Sequence, residues 1–495
     1  MWRVVLRHEL RLLRRSPAFW TCAGLIVIVI AGAAANGAAW AERQRQTARE
    51  IERADADNYA RIAADLADLA QRGDPRPAQS GGGLVWYLLQ PAGAPAPAPH
   101  IDPRRGEAAG SEWVGARYAV LPTTRLAALA IGQSDLHPSY SRVTMRTQPV
   151  LIHSDELENP EMLASGRFDL AFVLTFCWPL LVLPLAYDLF SGEREGGTLP
   201  LVRAQLVDLR TLMAAKLLAR GGSVLLLTVV ASIAALLAFA PAAADRGVVP
   251  ALAAWSALIV VNGGLWFALA AWINSREWSS RKNAMVLVAV WLASLVIVPA
   301  GLGVLVPWLA PVPSRLHLIE QARAIGLLSG EELRRVQQAY LERHRDVSPP
   351  RDGFDAGAVR TLALQEETDR RLAPALTRHQ DGVRRQQRLV DWLRYGSPAL
   401  LTYEVATELA GTSTARYRAF AAQLAQYHQR WRDYFYPLVN RQVTLTPAHY
   451  DNAPRFAFEE PAIAGRVVFP VIAMGFAALV LLTTVFARLG RPRAG

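Results

Sequence analysis

Six blocks of apolar residues, each about 20 residues long and almost free of formal charge, decide what this chain can fold into. They run over about Phe19–Ala41, Phe168–Phe190, Ser223–Ala243, Pro250–Ile273, Ala284–Ala310 and Val467–Ala487. At about 1.5 Å of rise per residue, each reaches across roughly 30 Å of hydrocarbon. A helix buried in a soluble protein would carry a polar stripe at helical period, and these blocks carry none. The expected fold is an α-helical polytopic membrane protein with six transmembrane helices. Two large, mainly helical extracytoplasmic insertions, 42–167 and 311–466, complete it.

Charge sets the expected orientation, because short loops rich in Arg and Lys stay in the cytoplasm. With the N-terminus inside, the inner segments are 1–15, 191–221, 274–283 and 488–495. They hold sixteen basic residues against Glu9, Glu193, Glu195, Asp208 and Glu277, an excess equal to the +11 net charge of the whole chain. Juxtamembrane placement beside anionic lipid accounts for this excess, so no nucleic-acid partner is expected. Arg43, Arg45, Arg49 and Arg53 fall on the outer side, where a long segment translocates largely regardless of charge. Met1–Ala41 also has the outline of a signal peptide, with Ala39-Trp40-Ala41 as its small-x-small site. Its apolar stretch of about 22 residues is long for that role.

The chemistry that is missing narrows the function classes. A phosphate-binding loop needs a glycine-rich turn followed by Lys and Ser or Thr, and the only lysines, Lys216 and Lys282, do not follow glycine. The chain also lacks His-Glu-x-x-His, Cys-x-x-Cys and Gly-x-Ser-x-Gly, so no catalytic, cofactor-binding or metal-binding residues are expected. The two cysteines, Cys22 and Cys177, lie within apolar blocks, leaving the outer segments without a disulfide framework. Inside the spans, Asp169 and Asp188 sit at opposite ends of the second block and Asn262 is the main polar side chain at mid-depth. Ion-driven carriers place carboxylates at the midplane, so an external energy source is the simpler expectation. Pro179, Pro184 and Pro299 are expected to bend the second and fifth helices, as packing kinks or as a gate.

Outside the spans, a charged helix is expected to continue the first span outward as a stalk and to break at Gly73–Pro75. A glycine run at 81–83 and the proline-rich 91–103 follow, the latter reading as a stiff linker. Helices are expected over about 313–345, 357–392 and 398–434, with Ser397-Pro398 as a helix start. Val443–Pro447 is the one short strand candidate.

Specific residues then carry a resemblance. Arg167–Phe176 (RFDLAFVLTF) leads into Ser191–Leu201 (SGEREGGTLPL), joined by Ala128–Pro138 (ALAIGQSDLHP) and Ser397–Phe420 (SPALLTYEVATELAGTSTARYRAF). With these segments the chain resembles an ABC transporter permease of the type-2 exporter class, in the subfamily with large outer domains. The resemblance implies a subunit without its own ATPase, paired with cytoplasmic ABC ATPase subunits that bind ATP and Mg. Six spans without an internal repeat make a half-transporter, so a second permease copy or paralogue is expected, and abundant Arg and Ala with scarce Lys points to a GC-rich bacterial genome and hence an inner membrane.

By the same resemblance, the loop after the second span is a coupling helix. Its candidate residues are Glu193, Arg194, Glu195, Gly197, Thr198, Leu199, Leu201 and Arg203. Physically, the two glutamates suit a helix start and a basic partner, and Leu199, Leu201, Val202 and Leu206 offer apolar contact within an arginine rim. A plain interfacial helix lying on lipid fits the same pattern. Residues 1–18 read as an amphipathic inner helix through Val5, Leu6, Leu10 and Leu13, framing the ATPase dock or anchoring to lipid. A non-transporting envelope sensor or scaffold is the alternative reading of the whole.

Overall fold

The computed structural model describes residues 2–72, 102–106, 115–132, 134, 137–145, 168–204, 208–326, 328–349 and 353–490. Among the described residues, six helices are long and apolar enough to cross a membrane: Pro17–Gln71 in its apolar part, Leu170–Glu195, Leu209–Phe239, Arg246–Asn274, Ser280–Leu309 and Ala464–Leu489. These are the six blocks read from composition, and the protein is an α-helical polytopic membrane protein. The second span is its centre: 56% of its most apolar window is buried, against 11% for the fifth and 17% for the sixth. The fully buried Trp178 lies there, and its indole N–H donates to Thr228 Oγ1 of the third span at 2.8 Å. The end of the bundle carrying Trp2–Arg15 and the 191–222 loop is called the basic end below.

Three spans contain a wider π-helical turn, at Val173–Cys177, Leu217–Gly222 and Ala293–Ile297. Two of them directly precede Pro179 and Pro299. A proline removes an N–H and clashes with the carbonyl four residues earlier, so the chain widens there. Carbonyls in the turn of the second span then accept from other spans. Leu174 O accepts from Asn262 Nδ2 at 3.5 Å, and Phe176 O from Trp291 Nε1 at 3.1 Å. Pro179 thus follows a turn whose carbonyls serve inter-span hydrogen bonds.

The region expected to lie wholly outside the spans departs from expectation in the largest way. Helix Gly353–Leu393 descends beside the fifth span: its Gln386 Nε2 donates to Ala310 O, at the span's far end, at 2.9 Å. The chain turns at Arg394–Gly396 and returns as helix Pro398–Ala410. Ser397 Oγ donates to Ser294 O at 2.8 Å, midway along the fifth span, and Thr402 Oγ1 donates to Asn262 Oδ1 at 3.1 Å, midway along the fourth. This re-entrant hairpin therefore reaches roughly 20 Å below the span's end, from about 1.5 Å per residue. Irregular backbone at such depth is tolerated only when packed in protein or wet. Gly411, at φ +71°, ends the returning helix, and Thr412–Ser413 separates it from Thr414–Asn440. The single helix expected over 398–434 is thus two.

Beyond the spans, both insertions build one core. The stalk is continuous from Pro17 to Arg72. Its Tyr59, Ile62 and Leu66 pack with Tyr427, Trp431 and Phe435 of the last long outer helix. Arg117 pairs with Asp55 at 2.8 Å and covers the Tyr59 ring at 3.2 Å. The helix expected over 313–345 is also two, Arg315–Gly326 and Gly330–Arg343, the second started by a Ser329–Glu332 capping box. These hydrogen bonds hold the Glu332 carboxyl below its ordinary range. The strand expectation at Val443–Pro447 fails. That segment is irregular, with Leu445 N donating to Arg104 O at 2.7 Å, while Arg117–Val120 and Tyr140–Val143 form an antiparallel pair. The pairing partner lies across a long connection, which local alternation does not reveal. The breaks and linkers expected at 73–75, 81–83 and 91–101 lie outside the described residues.

Gly37 fixes how the stalk leaves the bundle. A Cβ there would lie 2.2 Å from Ala128 O, in the short turn Ala127–Leu129. A backbone oxygen cannot rotate away, so Gly37→Val is expected to destabilise the protein by about 2 kcal/mol or more, read as a lowered thermal midpoint in detergent. A midpoint equal to wild type would rule out this close approach.

Candidate functional site

At the basic end, helix Ser191–Glu195 is held by side chains far away in sequence. Asn274 Oδ1 accepts from Phe190 N at 3.1 Å and from Asn283 Nδ2 at 3.2 Å, while Asn274 Nδ2 donates to Ala186 O at 3.2 Å. Asn283 Nδ2 also reaches Tyr187 O at 3.3 Å and Ser191 Oγ at 3.2 Å. Both asparagines are buried, where each made hydrogen bond avoids a desolvation cost of about 1–3 kcal/mol. They weld the end of the second span to the turn between the fourth and fifth.

The predicted coupling residues divide into two groups on this platform. Glu195 accepts from Ser280 N at 2.7 Å, and Arg194 donates to Trp278 O at 2.7 Å and to Glu277 O. Glu277 sits at φ +61°, a left-handed conformation that costs a non-glycine residue roughly 1–2 kcal/mol. Glu193 accepts from Lys216 Nζ at 2.9 Å and from the Thr198 hydroxyl. These charged groups serve the loop's own structure. The other group faces outward: Gly197, Thr198 and Leu201 are exposed, Leu201 at 65%, together with their neighbours Gly196 and Pro200, while Glu195 is exposed as it braces the loop. Gly197, at φ +69°, turns the chain so that Thr198 N donates to Glu193 O at 3.0 Å. Leu199 is buried rather than offered. The side chains of Val202 and Arg203, and residue Leu206, lie outside the described part of the structure.

A buried ion cluster lies beneath the turn. Lys216, only 2% exposed at the foot of the third span, meets Glu193 and, at 3.3 Å, Glu9. Glu9 is on the covered face of helix Trp2–Arg15, beside Leu13. Next to it, Arg220 pairs with Asp188 at 2.6 Å and donates to Leu185 O at 3.2 Å. Burying an ammonium is unfavourable unless its partners are well placed, and here two carboxylates from different elements supply the compensation. The cluster ties the N-terminal helix and the second and third spans together. Among the described residues, no group of three His, Cys, Asp or Glu side chains could hold a metal ion.

The loop and the amphipathic helix beside it both fall within a stretch that matches a known family. Residues 3–339 match the family model described as ABC-2 family transporter protein. The chain belongs to that family. Residues 315–459, which include the re-entrant hairpin, match a second model, described as Domain of unknown function (DUF3526). No curated protein and no solved structure matches the chain. As an ABC-2 family member, the protein is the membrane component of an ABC transporter, a class that works with an ATPase subunit.

Sequence reasoning missed Glu9, Lys216, Asn274, Asn283 and Ser280 in this ABC-2 protein. Lys216 had a signal, being one of two lysines and standing at the foot of an apolar span. Glu9 had one too, since it falls between Val5 and Leu13 on the apolar stripe of its helix. The asparagines had none beyond flanking a short loop.

Proposed function

We propose that this chain is the membrane-spanning permease subunit of an ATP-driven exporter, with the basic end in the cytoplasm of a bacterial cell and the larger insertions outside its inner membrane. ATP and Mg are bound by separate ABC ATPase subunits, and a second permease, identical or paralogous, completes the pathway at the subunit interface. The observation that carries this reading is the exposed turn 195–201 standing on a buried clamp. A docking surface must be accessible, and a lever must be stiff. In this reading Thr198, Pro200 and Leu201 contact the motor, while Glu193 and Arg194 brace the loop. Closure of the ATPases shifts the turn, and the Glu9–Lys216–Glu193 cluster passes that shift to the N-terminal helix and third span.

The test is a mild-detergent pull-down of the tagged full chain with mass spectrometry and an ATPase assay on the eluate. A nucleotide-binding subunit is expected in near-stoichiometric yield. Leu201→Asp places a charge in the centre of the apolar contact and is expected to lower that yield by about tenfold or more, the equivalent of about 1.4 kcal/mol, without loss of the folded chain. Recovery of an envelope partner without an ATPase would instead favour a non-transporting sensor or scaffold.

A further inference from the structure

The re-entrant hairpin carries charge to a depth where lipid cannot accept it. Arg394, in the turn beside Ser397, donates to Glu404 and lies 3.5 Å from Asp391. Asp391 keeps 42% of its side chain exposed. One turn further along the returning helix, Glu408 lies 3.9 Å from Arg466, at the start of the sixth span. Arg418 completes the ladder within electrostatic reach of Asp391, Glu404 and Glu408. Three carboxylates and three guanidiniums thus run from mid-depth to the end of the bundle opposite the basic one.

Several of their atoms make no hydrogen bond. Arg394 Nε, Glu408 Oε2 and Arg466 Nη1 are each buried without a hydrogen bond. Glu408 is only 3% exposed, and its Oε2 has only the long ion-pair contact to Arg466. Leaving such atoms dry costs several kcal/mol each, and charge facing hydrocarbon costs more. A gap of 3.9 Å between a carboxylate and a guanidinium is one that a water can share.

We infer that a water-filled cleft runs along helix Pro398–Ala410, open at the end opposite the basic one and reaching bilayer mid-depth at the hairpin turn. Its lining is balanced in charge, so it suits a hydrophilic group of no strong net charge rather than a hydrocarbon tail. The cleft itself stands on the spanning fold alone. Its use as the exit route for a hydrophilic cargo rests on the export reading.

The experiment is cysteine accessibility in the full chain, in sealed vesicles, after Cys22→Ala and Cys177→Ala. Tyr395→Cys and Trp392→Cys report on the hairpin turn, where the native side chains are 41% and 81% exposed. Phe476→Cys, midway along the sixth span and 66% exposed there, serves as the lipid-facing control. Only a hydrated thiol ionises and reacts. A membrane-impermeant cationic methanethiosulfonate added from the cleft side is expected to modify both turn positions at least about tenfold faster than Phe476→Cys. Two positions guard against one variant failing to fold. Rates at both as slow as the control would overturn the cleft, whatever copurifies with the chain. Fast modification in a chain that binds no ATPase would uphold the cleft and remove only its role in export.

Discussion

Lys216→Met is expected to be the most damaging single change at the basic end, lowering stability by about 3–5 kcal/mol. Methionine fills much the same volume, so packing survives while the charge goes. Glu9, 4% exposed, and the half-buried Glu193 would then face each other without their shared cation. Two like charges in a poorly solvated site repel, and neither can move to water without dislodging helix Trp2–Arg15 or the 195–201 turn. Glu193→Ala alone should cost much less, because Lys216 retains Glu9. The triple change Glu9→Gln, Glu193→Gln and Lys216→Met removes every charge together and should recover a large part of the loss, since a buried cluster replaced by neutral groups is often close to neutral in stability. The check is the thermal midpoint of the purified chain in detergent, read beside ATPase activity of the assembled complex. A midpoint for Lys216→Met within about 1–2 °C of wild type would show that the three groups are not a buried cluster.

Arg416→Met is expected to act at the opposite end, loosening the outer core from the spans by about 3 kcal/mol or more. The buried guanidinium donates to Pro122 O at 2.7 Å, to Gly411 O at 3.0 Å and to both carboxylate oxygens of Glu460. One side chain thus joins the first insertion, the end of the re-entrant hairpin and the approach to the sixth span. It also lies 5.1 Å from the centre of the Phe458 ring. Methionine would leave two carbonyls without donors, whereas Glu460, half exposed, can return to water. Limited proteolysis should cut the outer region faster while the spans stay protected. Arg416→Lys should recover part of the resistance, because an ammonium reaches Glu460 but one nitrogen cannot span the four acceptors that the guanidinium reaches from three. Wild-type resistance in Arg416→Met would contradict the joint.

Much of the architecture was legible because spanning is a local property. Some twenty residues of apolar composition suffice against a bilayer, so the six spans, the amphipathic N-terminal helix and the stalk could be read without knowing any neighbour. Asp169 and Asp188, placed by the sequence at opposite ends of the second span, are both satisfied there: Asp169 accepts from Phe172 N and Ile131 N, both at 2.7 Å, and Asp188 holds Arg220. The coupling segment was visible as a motif, but not its division of labour. Glu193 and Glu195 look like partner contacts in isolation. Only the positions of Lys216 and Ser280 show that they brace the loop.

The re-entrant hairpin was not legible at all. Its descending limb reads as a charged outer helix, with Arg388, Asp391 and Arg394 near its end, and a local reading places such a helix in water. Partners decide otherwise: Thr402 finds Asn262 across 140 residues of sequence, and Ser397 finds a carbonyl at Ser294 across 103. The amino-acid sequence by itself determined how many times the chain crosses the bilayer, which loops are basic, and that no phosphate-binding loop is present. Tertiary structure alone decided which polar groups at mid-depth meet, that both insertions share one core, and that charge enters the span region. The physical reason is range: transfer from water to hydrocarbon is set residue by residue, while satisfaction of a buried donor or charge depends on whichever distant segment arrives beside it.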